Sequence, residues 1–274
     1  MGGIRNWVGG GQVKEKRRSF QKRNRFRDLI LAGVAAFVFS PMMLAQTAPP
    51  SGAAKTMPDL SGVWELPGAL IRGLVDPSPM LVSDFLEGEP SMTPWADAKY
   101  KSHRKDIEKL SELEAQAFDP WWNCFPPGPT RAFTIPRPFE IRQLPGVVFL
   151  FFEWDHWARR IYTDGREHPD GYPITWMGHS IGHWDGDTLV ADTIGVNDQT
   201  WLDRRGLPHS EALHSVERFR RVNPKTLEIE FTLDDPKAFA KPWRGKKVFD
   251  LMQPGWEVLE HIACEELLEM GKHR

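Results

Sequence analysis

The stretch over residues 176–203, WMGHSIGHWDGDTLVADTIGVNDQTWLD, most constrains what this chain can fold into. At its centre Asp185-Gly186 stands between two runs of alternating side-chain character. A tight two-residue hairpin loop needs positive φ at its centre, which Asp and Gly tolerate best. The pattern predicts a strand ending near Trp184 and an antiparallel partner beginning near Asp187.

Other segments follow the same grammar. Residues 139–144 and 147–154 flank Pro145-Gly146, and 160–163 ends at Asp164-Gly165. Residues 213–222 and 227–234 flank a turn at 223–226, and 243–252 and 256–264 complete the set. Leu227, Ile229, Phe231 and Leu233 alternate with Glu228, Glu230, Thr232 and Asp234, a period of two with one wet face. With no crossover helices between them, these strands predict an antiparallel sheet, closed because open edges invite aggregation. The expected fold is mainly β: an antiparallel up-and-down calycin-like barrel of about ten strands with one N-terminal surface helix. Gly62-Val63-Trp64 opens the first strand and resembles the start of lipocalin-like barrels, where the tryptophan closes one end.

Ahead of the barrel, residues 1–45 carry nine Lys/Arg against Glu15 and Asp28, then an apolar run from Leu29 to Ala45. That layout predicts an export signal and a periplasmic or secreted protein. Arg17-Arg18-Ser19-Phe20-Gln21-Lys22 resembles the twin-arginine signal; a general secretory signal is the other reading. Contact with a membrane is expected only through this segment if it stays uncleaved. Residues 46–57 read as a flexible leader, 58–266 as a single barrel domain and 267–274 as a tail. Thr93-Pro94 starts a helix near 94–117, and a Pro/Trp-rich loop follows at 119–131. Its tryptophans and Phe125 serve either as a lid over the barrel mouth or as a plug filling the core. Beyond residue 45 the chain carries 26 basic and 35 acidic residues, which excludes nucleic acid as the expected partner. Cys124 and Cys264 invite a disulfide in an exported chain, two separate buried thiols being the alternative.

Four polar clusters are candidates for chemistry. Tyr162, Asp164, Arg166 and His168 at a loop suit an anion clamp, with a structural Asp–Arg turn as the plain reading. His179 and His183 share a strand face, but ~13 Å of strand separates them, too far to share an ion. His209 with Glu211 suits a carboxylate-supported base, and Asp198 or Asp203 the matching acid; the plain reading has all four bracing loops. Trp176, Trp184 and Trp201 are candidate walls of a ligand pocket. Phosphate-cradling and dinucleotide glycine motifs, HExxH and CxxC are absent, so no cofactor and no metal are expected.

The blocks IYTDGREHP, PITWMGHSIGHWDGDTLVADTIGVNDQTWLD, GLPHSEALHSVERFRRV and DDPKAFAKPW resemble a family of exported bacterial proteins without an assigned function. The resemblance covers about residues 59–266 and implies export, a β-rich fold and a polar site built from these blocks. Within it, Glu often stands at the position of Asp185 and Tyr at that of His179, so the resemblance itself assigns His179 no catalytic role. The function expected is an exported lipocalin-like protein binding a small apolar or aromatic molecule in a barrel pocket. The alternative is a cofactor-free hydratase, isomerase or hydrolase using His209, Glu211, Asp198 and Asp203 there.

Overall fold

A computed structural model describes residues 57–67, 88–107, 118–203, 205–260 and 264. The expected export signal, most of the leader, the far end of the 94–117 helix and the tail lie outside the described residues.

Nine strands close into one barrel in sequence order: β1 Gly62–Glu65, β2 Phe139–Leu144, β3 Val147–Phe152, β4 Ala158–Tyr162, β5 His179–Asp185, β6 Thr188–Ile194, β7 His214–Asn223, β8 Thr226–Asp234 and β9 Trp243–Leu251. Closure is made by Trp64 opposite Leu251 and Glu65 opposite Asp250. All neighbours are antiparallel except β4 and β5, which run parallel with Ile161 opposite Ser180. Geometry requires such a pair. A closed circuit must contain an even number of direction reversals, so nine strands cannot close with antiparallel neighbours alone.

The expectation of an antiparallel, up-and-down, calycin-like barrel of about ten strands is therefore corrected to a mixed barrel of nine. The segment expected as the last strand, 256–264, forms no strand over its described residues. Pro254 and Gly255, at φ +86°, turn the chain away after β9, whose free edge is already taken by β1. The parallel pair has a further consequence: parallel strands need a crossover of a dozen or more residues. Residues 163–178 supply it, and Thr175 N–H donates to Gly195 O at 2.9 Å on the way. Re-entry into β5 depends on Gly178, at φ +66°, where a Cβ would stand 2.5 Å from Ile194 O.

The central hairpin forms one residue later than predicted. Asp185 pairs with Thr188, leaving Gly186-Asp187 as the loop with Gly186 at φ +65°. Glycine at the first loop position selects the primed turn with one positive φ, so the loop settles on Gly186 and not on Asp185.

Inward positions of β1–β3, β8 and β9 are mostly apolar, with Lys247 of β9 a buried exception, and Trp64, Phe139, Ile141, Leu150, Phe231 and Phe249 are sealed from solvent. The lumen is completed by the 118–138 segment. Its short 3₁₀ turn Arg131–Thr134 drives Phe133 between Phe139, Phe152, Phe219, Phe231 and Phe249, with ring centroids 5.2–6.1 Å apart. The plug is thus Phe133, beyond the 119–131 loop; of that loop's aromatics, Phe125 is 47 % exposed and Trp121 packs with Ile135 and Trp154 in a separate cluster, so neither fills the lumen. The cleft left beside the plug, between Ile135, Phe152, Trp154 and Trp157, measures about 10 Å³, room for one water and no ligand. The segment is tied down by the Cys124–Cys264 disulfide, which closes a separation of 140 residues.

Helix α1, Pro94–Ile107, begins where expected, with Thr93 Oγ1 accepting from Ala96 N–H at 3.3 Å. Although its sequence offers little apolar face, Ala96 is buried, and Trp95 and Tyr100 pack on the barrel core.

Candidate functional site

Strands β5, β6 and β7 carry polar side chains on both faces. Inward, Arg159 of β4 donates to Glu217 through Nη1 at 3.2 Å and Nη2 at 2.5 Å, to Ser180 at 3.0 Å and to Thr193 at 2.7 Å. Ser215 adds a further hydrogen bond to Glu217 at 3.2 Å. Arg159 is 2 % exposed and Glu217 fully buried, a bidentate pair with its remaining groups satisfied.

Outward, under the crossover, lies a different cluster. Asp192 Oδ1 is 3.0 Å from His168 Nε2 and Oδ2 is 2.8 Å from His214 Nε2. His168 Nδ1 stands 2.8 Å from His179 Nδ1. The His179 ring is flanked by Tyr172 at 4.6 Å and Tyr162 at 5.5 Å. Arg166 lies 3.9 Å over Tyr162 and is chelated by Asp164 at 2.6–3.0 Å. Thus Tyr162, Asp164 and Arg166, one candidate cluster, meet His179 of another, and Arg166 takes Asp164 as its partner, the plain reading of that turn. Asp192 and His214 join them from β6 and β7, a grouping that no local spacing signals.

Charge is distributed unevenly across this cluster. Burial, with the neighbouring His168 and Arg166, holds His179 below the ordinary histidine range and so neutral near pH 7. The hydrogen bond to Asp192 raises His214. Burial pushes Asp192 the other way, yet the bonds from His214 and His168 hold it below the usual carboxylate range. Among the described residues, no three His, Cys, Asp or Glu groups converge in a way suited to a metal ion.

The proposed acid–base set of His209, Glu211, Asp198 and Asp203 does not assemble. His209 is 1 % exposed; its Nδ1 faces Ser210 O at 3.1 Å and its Nε2 faces Thr200 Oγ1 at 2.6 Å. A carbonyl only accepts, so Nδ1 carries the proton and Nε2 is occupied by the threonine hydroxyl. Glu211 is exposed, and the carboxylate that organises this turn is Asp235, which takes Ser210 N–H and Oγ–H at 2.6 and 2.8 Å. Asp203 is sealed and accepts from the N–H groups of Arg205 and Leu207 and from Arg205 Nε. Asp198 pairs with Lys99 of α1 at 3.0 Å. These residues brace the 195–213 connection, the plain reading of the sequence. Nor do the three tryptophans share a pocket. Trp176 stacks on Phe125 at 4.8 Å, Trp201 on His103 at 5.2 Å, and Trp184 packs against the core from the inner face of β5.

One motif passed over in the sequence is Gly178-His179-Ser180-Ile181-Gly182, which has the letters of a nucleophile elbow. Here it runs along β5, and Ser180 faces inward to Arg159 and Thr193, so it serves the interior pair. Comparison with protein-family models finds no match, and comparison with curated proteins finds none either.

Proposed function

We propose that the protein is exported and binds a small aromatic or apolar molecule on the outer wall of its barrel, beneath the crossover. Binding sites join aromatic surface to a few placed polar groups. The observation that carries the proposal is the layering of Tyr162, His179 and Tyr172 beside Arg166 and the Asp192 cluster. A lumen packed around Phe133 leaves that interior to structure. Export is supported by the basic and apolar N-terminal sequence. The Cys124–Cys264 disulfide suits an oxidising compartment.

Native mass spectrometry of protein taken from the exported fraction of its own host tests this. A co-purifying small molecule is expected, lost in Tyr172→Ala and kept in Phe133→Leu. Protein found in the cytosolic fraction, or a molecule lost only in Phe133→Leu, would overturn the reading.

A further inference from the structure

We propose that His179 is a general base, set in its tautomer by a hydrogen-bonded chain from Asp192 through His168, and that it removes a proton from a planar molecule bearing an acidic C–H bond. The proposal rests on the wall site described above and adds a reaction to it.

With His168 neutral, the tautomer follows from bond counting. An ionised carboxylate has no proton to give, so Asp192 must accept from His168 Nε2 and from His214 Nε2. A neutral imidazole that donates from Nε2 keeps its lone pair on Nδ1. His168 Nδ1 therefore accepts, and across 2.8 Å the donor is His179 Nδ1–H. The free lone pair of His179 is left on Nε2. That atom makes no hydrogen bond among the described residues, and it is not among the polar atoms sealed from water without a partner. A side chain that is itself largely buried thus keeps one basic nitrogen without a hydrogen-bond partner among the described residues, on a ring packed by two tyrosines.

The same chain gives the charge a place to go. When Nε2 takes a proton from carbon, the Nδ1 proton of His179 can pass to His168 Nδ1. The positive charge then rests on His168 against the Asp192 carboxylate. The carbon's electron pair moves into the substrate, onto a conjugated oxygen or a leaving group. The proton is later returned to another atom of the product or to water, so no oxidant or reductant is needed. The neighbouring hydroxyl that might have served as a nucleophile, Ser180, is turned inward and bound by Arg159 and Thr193. Among the described residues no serine, threonine or cysteine side chain is hydrogen-bonded to His179, which points to isomerisation or elimination and away from acyl transfer. The low affinity of His179 for protons keeps the base available near pH 7.

The probe is 5-nitrobenzisoxazole, a planar aromatic carbon acid. Loss of its ring C–H proton forms a nitrile and breaks the N–O bond, releasing a coloured phenolate with no other reagent. Binding is followed by saturation-transfer NMR on the probe, ring opening by absorbance, folding of each variant by circular dichroism, and the His179 tautomer by nitrogen-15 NMR. The expected results are a protonated Nδ1 and bare Nε2 at pH 7.5 and a rate that falls about 10²-fold or more in His179→Ala. In Asp192→Asn, a roughly tenfold loss and a moved pH midpoint are expected, because that residue positions the base through His168. A protonated Nε2 in the resting protein overturns the proposal outright. Probe that binds but opens no faster than with His179→Ala overturns the base while sparing the wall site. Probe that does not bind at all overturns the substrate class and counts against the wall site itself.

Discussion

The two faces of β5, β6 and β7 place similar chemistry in opposite circumstances. Ser180, Thr193 and Glu217 point into the barrel, while their strand neighbours His179, Asp192 and His214 point out under the crossover. The inner set surrounds Arg159 with partners and excludes water. The outer set leaves Asp192 and His214 partly wet, at 35 % and 43 % side-chain exposure, and keeps titratable nitrogens within reach of solvent. Burial with full satisfaction makes an ion pair costly to break and inert in chemistry. Partial exposure makes each bond weak in stability and useful for moving protons.

The sharpest break of this comparison is Arg159→Leu, which strands Glu217 in the lumen. A loss of about 3–5 kcal/mol in urea unfolding at pH 7 is expected. Truncating the plug with Phe133→Ala should cost a similar ~3–5 kcal/mol by removing a buried ring. Replacing both charges, Arg159→Met with Glu217→Leu, should recover most of the first loss, because the cost lies in the unpaired charge.

On the outer face Asp192→Asn should cost less than about 1 kcal/mol, since the cluster is partly solvated. Its effect should also depend on pH. His214 is raised by Asp192, so this contribution is fully present below the unfolded value of about 6.5 and fades as pH rises through the higher folded value. Asp192 itself is lowered, so its contribution is lost only as pH falls through the folded value, below the usual 3.8. The difference between wild type and Asp192→Asn should therefore be largest from about pH 4 to 6.5 and smaller at pH 8. His179 and His209 act in the opposite sense. Both are held low by burial, so the unfolded chain takes up protons first, and stability falls as pH drops below about 6.5. Smallest of all, Asp164→Ala should change stability by at most ~1 kcal/mol, because its pair with Arg166 is exposed.

Local structure was legible where a turn residue and a period of two agreed. The hairpins at Pro145-Gly146 and 223–226 and the Thr93 cap follow directly from those signals. The parallel crossover was not legible, because the pairing of Ile161 with Ser180 is set by closure of the whole barrel and not by any local residue. Alternation also misleads in β5–β7. Polar Ser180, Thr193, Ser215 and Glu217 face the lumen, while Ile181, Val190 and Val216 lie on the outer wall. Sequence grouping by neighbourhood favoured His209 with Glu211, two residues apart. The pairing that forms joins His168, His179, Asp192 and His214 from a loop and three strands.

The most direct measurement is amide hydrogen exchange with and without the molecule that co-purifies. Slowed exchange over 165–178 and the start of β5, with the plug at 126–134 unchanged, is expected of a ligand on the wall. Slowed exchange over the plug with the crossover unchanged would put the ligand in the lumen and contradict the division between an inert interior and a working outer face.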